Sequence, residues 1–275
     1  MKIDSHQHFW RYTDVDFGWM SDAMARIRRD FLPADLAPQL AARGIDGTVA
    51  VQARMSLEET RWLLELADHN PLIRGVVGWV PLAEKSVASE LDRFAANPRL
   101  KGIRHVVQGQ PAGFLDAPDF NAGIREVTSR SLVYDILIFA GQLEEATHFV
   151  DRHPNQSFVL DHIAKPVVQG PPPALWRESL RELARRENVA CKFSGVVTEI
   201  PAFAPWTPEE IRPYFDVVLD AFGPSRLMFG SDWPPCLVST EYSRWHDTVE
   251  NFTAPLSADE RARILGGTAT AIYRL

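Results

Sequence analysis

The chain has 275 residues, of which 45% are hydrophobic and 24% are charged, and its formal net charge is -7. This length fits one domain over residues 1–275 and matches the usual size of an eight-stranded α/β barrel. Because no basic cluster offsets the negative charge, we expect neither nucleic acid nor an anionic membrane as a partner, and we expect a small uncharged or weakly charged ligand.

The cysteines and the first residues indicate the expected cellular compartment of the protein. Cys191 and Cys236 stand in no C-x-x-C or His-spaced pattern, so neither a disulfide framework nor a structural zinc is predicted. The chain begins with a polar strand rather than a charged leader and an apolar run, and no stretch approaches a membrane span. The cytoplasm is therefore the expected compartment, and no pattern indicates an oligomeric state.

Short apolar runs rich in β-branched residues alternate with amphipathic segments along the whole chain. This alternation predicts parallel strands that are connected by helices. An open sheet of this kind usually carries a glycine-rich phosphate turn after its first strand, and histidines stand there instead. The sequence therefore predicts a fold of the α/β class, a single (β/α)8 TIM barrel. The eight predicted strands are residues 2–8, 47–53, 73–80, 100–107, 132–139, 157–162, 189–194 and 227–230.

The first predicted strand carries His6 and His8, and side chains two residues apart point to the same side of a strand. A lone His-x-His pair is common on protein surfaces, so only its position in the fold can indicate whether it binds a metal. Both histidines lie at the carboxyl end of the strand, where barrel enzymes keep their chemistry. Asp232 follows the last strand in the same way, and closure of a barrel brings these strands together. We therefore predict a metal site made of His6, His8 and Asp232.

Three long connections follow strands at this end of the barrel, at residues 11–31, 109–120 and 196–206. They are rich in aromatic, proline or glycine residues, and such loops form the rim and lid of a barrel pocket. Each tryptophan in or beside them also has a purely structural alternative as a buried packing residue. The candidate pocket walls are Trp10, Trp19, Trp206 and Trp233.

Polar side chains also lie at the ends of the second and fourth strands. Gln52 and Arg54 follow the second strand, and both are candidates for substrate binding. In the fourth strand, Lys101 and His105 share one face while Arg104 lies on the other, so only one set can face the pocket. We expect His105 to face inward, with Arg104 as the alternative.

A compact polar group follows the sixth strand, where Asp161, His162 and Lys165 bring together an acid, a base and a cation. The alternative is a loop whose charges only pair with each other. The seventh strand adds Lys192 and Ser194, which are equally open to a role in hydrogen bonds inside the barrel.

Other common chemistries lack their motifs. The chain contains no G-x-S-x-G elbow, no G-x-x-x-x-G-K-[ST] phosphate loop and no H-E-x-x-H helix. Serine hydrolases of the α/β type, P-loop nucleotidases and zincins are therefore excluded.

Four ordered motifs and a closing segment resemble one known family. The chain resembles the amidohydrolase superfamily, and in particular its branch of sugar-lactone hydrolases. The similarity extends over nearly the whole chain, and four motifs in order are much more specific than one His-x-His pair. The motifs are residues 4–10, 101–105, 159–166 and 229–234, with a closing segment at residues 266–273.

The resemblance implies a (β/α)8 barrel that hydrolyses a lactone, with His6 and His8 at the metal position, His162 in the pocket and Asp232 as general base. The fifth strand ends without the histidine of the two-metal pattern. We therefore expect at most one divalent metal, with zinc as the first choice. The metal need not be required, because a lactone is an activated ester.

The expected substrate is a small-molecule lactone of a sugar acid such as fuconic, galactonic or rhamnonic acid, with L-fuconolactone as the first choice. His105, Arg104 or Lys165 would stabilise the oxyanion. One alternative is a metal-dependent decarboxylase or hydratase of the same superfamily. The other is a barrel that binds a sugar acid without catalysis. The expected substrate-binding residues are Trp10, Gln52, Arg54, Arg104, Lys165 and Trp233.

Overall fold

The computed structural model describes residues 1–275, and eight parallel strands follow one another around a barrel in sequence order. All eight lie where the sequence predicts them, and the fold class is confirmed. The second, third, fifth and sixth strands each end two residues before their predicted ends, and the sixth does so because the backbone turns at Asp161. The strands are β1 (Ile3–Gln7), β2 (Gly47–Val51), β3 (Ile73–Gly78), β4 (Leu100–Val106), β5 (Val133–Leu137), β6 (Phe158–Leu160), β7 (Val189–Phe193) and β8 (Leu227–Phe229).

Closure of the barrel joins the segment after β8 to β1. Gln7 forms an isolated parallel bridge with Trp233. The Asp232 amide donates to the His6 carbonyl at 2.8 Å, and the His8 amide donates to the Trp233 carbonyl at 2.7 Å. These bonds place Asp232 beside the two histidines, although they are more than two hundred residues apart in sequence.

Amphipathic helices cover the outside of the barrel. Two of them begin at a serine cap: the Ser56 hydroxyl accepts a hydrogen bond from the Glu59 amide at 3.2 Å, and the Ser257 hydroxyl accepts one from the Glu260 amide at 3.3 Å. None of the helices is both long and apolar enough to cross a bilayer. The helices are α1 (Pro33–Arg43), α2 (Leu57–His69), α3 (Val87–Ala95), α4 (Pro118–Ser129), α5 (Leu143–Asp151), α6 (Ala174–Ala184), α7 (Pro208–Phe222), α8 (Tyr242–Thr253), α9 (Ala258–Ala262) and α10 (Thr268–Tyr273).

Two hydrophobic clusters hold this arrangement together. The larger one fills the space between the strands and the helices. The smaller one joins side chains of the strands, such as Val49, Val133 and Met228, with Ala269 and Tyr273 of α10. Because the last helix packs at the amino end of the barrel, the open end is the carboxyl end, where the predicted site residues lie.

Candidate active site

His6, His8 and Asp232 come together as predicted at the carboxyl end of the barrel. The two Nε2 atoms are 3.2 Å apart, and Asp232 Oδ1 lies 3.8 Å from His6 Nε2 and 3.4 Å from His8 Nε2. All three residues are buried. Their three ligand-type atoms therefore converge on one point, as the atoms of a metal site do.

The other ring nitrogens show which protons the two imidazoles carry. His8 Nδ1 lies 2.8 Å from the Val51 carbonyl, which can only accept, so this nitrogen holds the proton. Arg104 Nη1, which can only donate, lies 3.3 Å from His6 Nε2, so His6 Nε2 accepts and the proton is on Nδ1, 3.2 Å from Asp161 Oδ1. Both Nε2 lone pairs therefore face each other and the Asp232 carboxylate. Arg104 Nη1 offers one hydrogen bond to His6 Nε2, but His8 Nε2 and the Asp232 carboxylate have no such donor. A cation between the three groups would satisfy them, so the residues fit a divalent metal.

Asp232 remains ionised in this setting. Burial acts to raise its pKa, but the neighbouring His162, His8 and His6 outweigh that effect, and the net pKa lies below the usual range of an aspartate. Burial lowers the pKa of His162 to about 4, so this imidazole is neutral near pH 7. A carboxylate and a neutral imidazole thus lie next to each other, with His162 Nε2 at 4.0 Å from Asp232 Oδ1.

The position of His162 depends on an unusual backbone turn after β6. Four consecutive residues, His162 to Lys165, have φ between 51° and 61°, the left-handed region that L-residues rarely adopt. His162 Nδ1 then lies 2.9 Å from the Ser194 hydroxyl at the end of β7. Gly195 leaves space for the ring, because a Cβ there would lie 2.4 Å from His162 Nδ1. The turn brings both His162 and Lys165 into the pocket.

The expectation that His105 faces the pocket is wrong, and Arg104 faces it instead. Arg104 is 3% exposed, and its Nη1 lies 2.9 Å from Asp161 Oδ2 and 3.3 Å from His6 Nε2. His105 packs outside the barrel against Phe114 and Phe120, at ring distances of 5.3 and 5.5 Å. Alternation along β4 allows only one of the two inside, and the buried carboxylate of Asp161 favours the guanidinium.

These groups lie at the base of a cavity of about 530 Å³, a volume suited to a small ligand. Trp10, Arg54 and Lys165 line it, as the sequence predicts, and Trp19 adds a second aromatic wall. The loops at residues 11–31 and 196–206 supply much of the rim, whereas no residue of the loop at 109–120 lines the cavity. The other apolar residues that line the cavity are Met24, Ile27, Ala53, Met55, Val106, Leu137, Phe203, Pro235 and Val238.

Three other residues predicted to bind substrate or to form the pocket wall do not reach the cavity. Gln52 is wholly buried, and its side chain donates to the Arg104 carbonyl at 3.3 Å, so it supports Arg104 rather than a ligand. Trp233 packs edge-on against Phe31 at 5.1 Å, because it faces away from the site that its neighbour Asp232 faces. Trp206 lies in a separate small cavity and donates to the Ser239 carbonyl at 3.3 Å.

Two carboxylates that are not among the predicted site residues also line the cavity. Glu199 lies with Oε1 3.3 Å from Lys165 Nζ, and Asp16 is in contact with the Arg54 guanidinium. Both residues belong to predicted rim loops, and only their acidic side chains could have indicated a role in the site. Burial raises the pKa of Glu199, and Lys165 opposes that shift.

Comparisons with known proteins find relatives that match this chain over its whole length. An L-fucono-1,5-lactonase of Burkholderia multivorans is 40% identical over 290 aligned positions, covering 100% of this chain and 96% of the relative. An L-fucono-1,5-lactonase of Burkholderia ambifaria is 35% identical, with 100% and 96% covered. The crystal structure of a Burkholderia multivorans amidohydrolase with bound zinc superposes with a TM-score of 0.97 at 40% identity, covering 100% of this chain and 99% of that one.

The amidohydrolase family model matches residues 3–275, from the first residue of β1 to the end of the chain. The match includes every strand and every residue of the site described above. With the barrel, the converging histidines and the aspartate after the last strand, it shows that the chain belongs to the amidohydrolase family.

Proposed function

We propose that the protein is a lactonase that hydrolyses the lactone of a sugar acid, with L-fucono-1,5-lactone as the first candidate substrate. The observation that supports it most is the sequence identity of 35–40%, over the full length, to two L-fucono-1,5-lactonases. The buried, ionised Asp232 that lines the cavity agrees with it. The small-molecule lactone is the proposed partner, and the cytoplasm remains the expected compartment.

Asp232 acts as general base in this proposal. Its carboxylate takes a proton from a water molecule while the water oxygen attacks the lactone carbonyl carbon. The tetrahedral intermediate then breaks its bond to the ring oxygen, which leaves as an alcohol after it receives a proton. The protonated Asp232 is the nearest source of that proton, so one carboxyl group serves both steps and ends ionised, as it began.

Arg104 and His162 stabilise the negative charge that develops on the carbonyl oxygen. The Arg104 guanidinium is always protonated and is held by Asp161, so it needs little rearrangement during the reaction. The neutral His162 donates from Nε2 when the Ser194 hydroxyl donates to Nδ1. His105 is excluded from this role because its ring lies outside the barrel.

We propose zinc as the metal for His6, His8 and Asp232. Two imidazole nitrogens and a carboxylate oxygen are a ligand set that zinc enzymes use. A zinc ion held there would polarise the carbonyl and lower the pKa of a bound water. The zinc in the crystal structure of the Burkholderia multivorans amidohydrolase supports this choice.

The walls of the cavity suit a deoxy sugar ring. Trp19 offers an aromatic face to the C–H edges of the ring, while Arg54, Lys165 and Gln108 offer donors to its hydroxyl groups. Met24 and Val238 line the cavity with partly exposed apolar side chains that would accept a methyl group. Fuconic acid carries such a methyl, and this is the reason for naming its lactone first.

The proposed function is tested by proton release from a panel of freshly prepared sugar-acid lactones, followed with a pH indicator. We expect fast turnover of one stereochemical group, fuconolactone included. The panel is run with chelator-treated protein and again after zinc or manganese is restored. Absence of turnover on every lactone in both states would contradict the proposal and favour the decarboxylase or hydratase alternative.

The metal is tested separately by counting zinc per chain after dialysis. We expect one zinc per chain in the wild type and a loss of most of it in His8→Ala. The matched control is His105→Ala, which removes a histidine outside the barrel and should retain the zinc. Equal zinc contents in the two variants would show that the metal is not held where we place it.

A further inference from the structure

Each cation in the cavity already has a carboxylate partner. Lys165 Nζ lies 3.3 Å from Glu199 Oε1, and the two side chains are 18% and 17% exposed. Arg54 contacts Asp16 at the rim, where the side chains are 29% and 39% exposed. Deeper in the cavity, Arg104 is paired with Asp161 at 2.9 Å. A ligand that enters therefore meets no lysine or arginine whose charge is free.

Glu199 is also fixed in position by its surroundings. The Glu199 carbonyl accepts the Val168 amide at 3.1 Å, which joins the loop after β7 to the loop after β6. The Thr198 hydroxyl donates to the Gly195 carbonyl at 2.6 Å and holds the preceding turn. Lys165 lies at the end of the left-handed turn that also positions His162. The pair is therefore built into the two loops that carry the reaction site.

From this arrangement we infer that Glu199 and Asp16 are specificity residues, which neutralise Lys165 and Arg54 so that the cavity accepts an uncharged lactone and rejects one that bears a carboxylate. The inference rests on the proposed lactonase function and adds a rule about substrate charge. An incoming carboxylate would have to displace Glu199 from Lys165 or lie beside its negative charge, and both are unfavourable in a partly buried site.

The same pairs affect the product. Ring opening converts an uncharged lactone into a carboxylate, and this new charge finds no unpaired lysine or arginine in the cavity. We therefore expect the acid to inhibit Glu199→Gln, in which Lys165 loses its partner, more strongly than it inhibits the wild type.

The first test is Glu199→Gln, which keeps the size of the side chain and frees the charge of Lys165. Initial rates are measured at pH 7 on galactonic acid lactone, which is neutral, and on galactaric acid lactone, which carries one carboxylate. We expect the ratio of kcat/KM for the anionic over the neutral lactone to rise about tenfold or more, equivalent to about 1.4 kcal/mol. Asp16→Asn should raise it less, because that pair is more exposed and Arg54 Nε also lies 3.8 Å from Glu59 Oε1.

Two further variants show whether the freed cation is the cause. Adding Lys165→Met to Glu199→Gln should remove the gain, because the cation is then gone. Glu178→Gln removes an equal charge from an exposed position on α6 and should leave the ratio unchanged. An unchanged ratio in Glu199→Gln, or a gain that persists in the double variant, would overturn the inference.

Direct binding of glutarate, a simple dicarboxylate, separates this inference from the proposed function, because it needs no turnover. Calorimetry should show about tenfold tighter glutarate binding in Glu199→Gln than in the wild type. If no lactone is hydrolysed but glutarate binds tighter in the variant, the lactonase function fails and the charge rule stands. If lactones are hydrolysed but neither the ratio nor glutarate binding changes, the charge rule fails.

Discussion

Two layers of charged residues lie one above the other in the barrel, and they differ in how their charges are matched. In the lower layer, Lys192 Nζ lies 2.5 Å from Asp135 and 3.1 Å from Asp161, and the Tyr273 hydroxyl donates to Asp135 at 2.8 Å. In the upper layer, the Nε2 atoms of His6 and His8 face the Asp232 carboxylate with no lysine or arginine bonded to that carboxylate.

The contrast shows that burial and residue type do not by themselves indicate function. Both layers contain ionisable groups that are almost wholly buried. The lower groups satisfy one another, whereas the upper groups converge in a way that calls for a cation or a substrate. Asp161 connects the layers, because its carboxylate contacts both Lys192 and His6. Lys192, His6 and Arg104 together lower the pKa of Asp161 well below its usual range, despite the opposing effect of burial.

The largest effect is expected from Lys192→Met in the lower layer. Removal of the ammonium leaves Asp135 and Asp161 without their shared cation in the interior, and such a change typically costs about 3–5 kcal/mol of the free energy of unfolding. Chemical denaturation measures it, and Lys85→Met, at an exposed site, should change stability by less than about 0.5 kcal/mol. Equal stabilities of the two variants would mean that the lower layer is not structural.

A smaller effect is expected from the neighbouring residues of β4. Arg104→Gln should lower kcat/KM on the lactone about a hundredfold, since a donor to the oxyanion is lost. His105→Gln should change it less than about threefold, because that ring packs against Phe114 and Phe120 outside the barrel. Melting temperatures of both variants show whether loss of fold contributes. A larger activity loss in the His105 variant would reverse our placement of the two side chains.

The smallest effect concerns the pH dependence of stability. Burial lowers the pKa of His105 to about 4, against an ordinary value of 6.5. Between these values the unfolded chain binds the proton and the folded chain does not, so this residue makes stability fall as the pH falls from 6.5 towards 4. The free energy of unfolding of the wild type should fall more steeply with falling pH than that of His105→Gln. Partial exposure of the ring limits the difference to a value on the order of 1 kcal/mol. Parallel curves of the free energy of unfolding against pH would contradict the lowered pKa of His105.

Much of this organisation follows from the sequence. The eight β-branched runs predict the strands, since each strand is buried on both faces in a parallel barrel. The i, i+2 spacing of His6 and His8 predicts their common face, and barrel closure predicts their meeting with Asp232. These features follow from the local spacing of residues and from the order of the strands, and both can be read from the sequence.

The remaining features depend on contacts that periodicity does not encode. Alternation along β4 separates Arg104 from His105, but the choice of the inward face depends on Asp161, a partner 57 residues away. The left-handed turn at His162 has no glycine to indicate it. Glu199 and Asp16 belong to irregular rim loops, where no spacing rule places a side chain.

The central claim is that the upper layer carries the chemistry through Asp232, and Asp232→Asn tests it most directly. The amide keeps the shape of the side chain but cannot take a proton from water, so kcat on the preferred lactone should fall at least about a hundredfold while KM changes little. Asp259→Asn, at an exposed position on α9, is the matched control and should retain wild-type kcat. A wild-type kcat in Asp232→Asn would contradict the account.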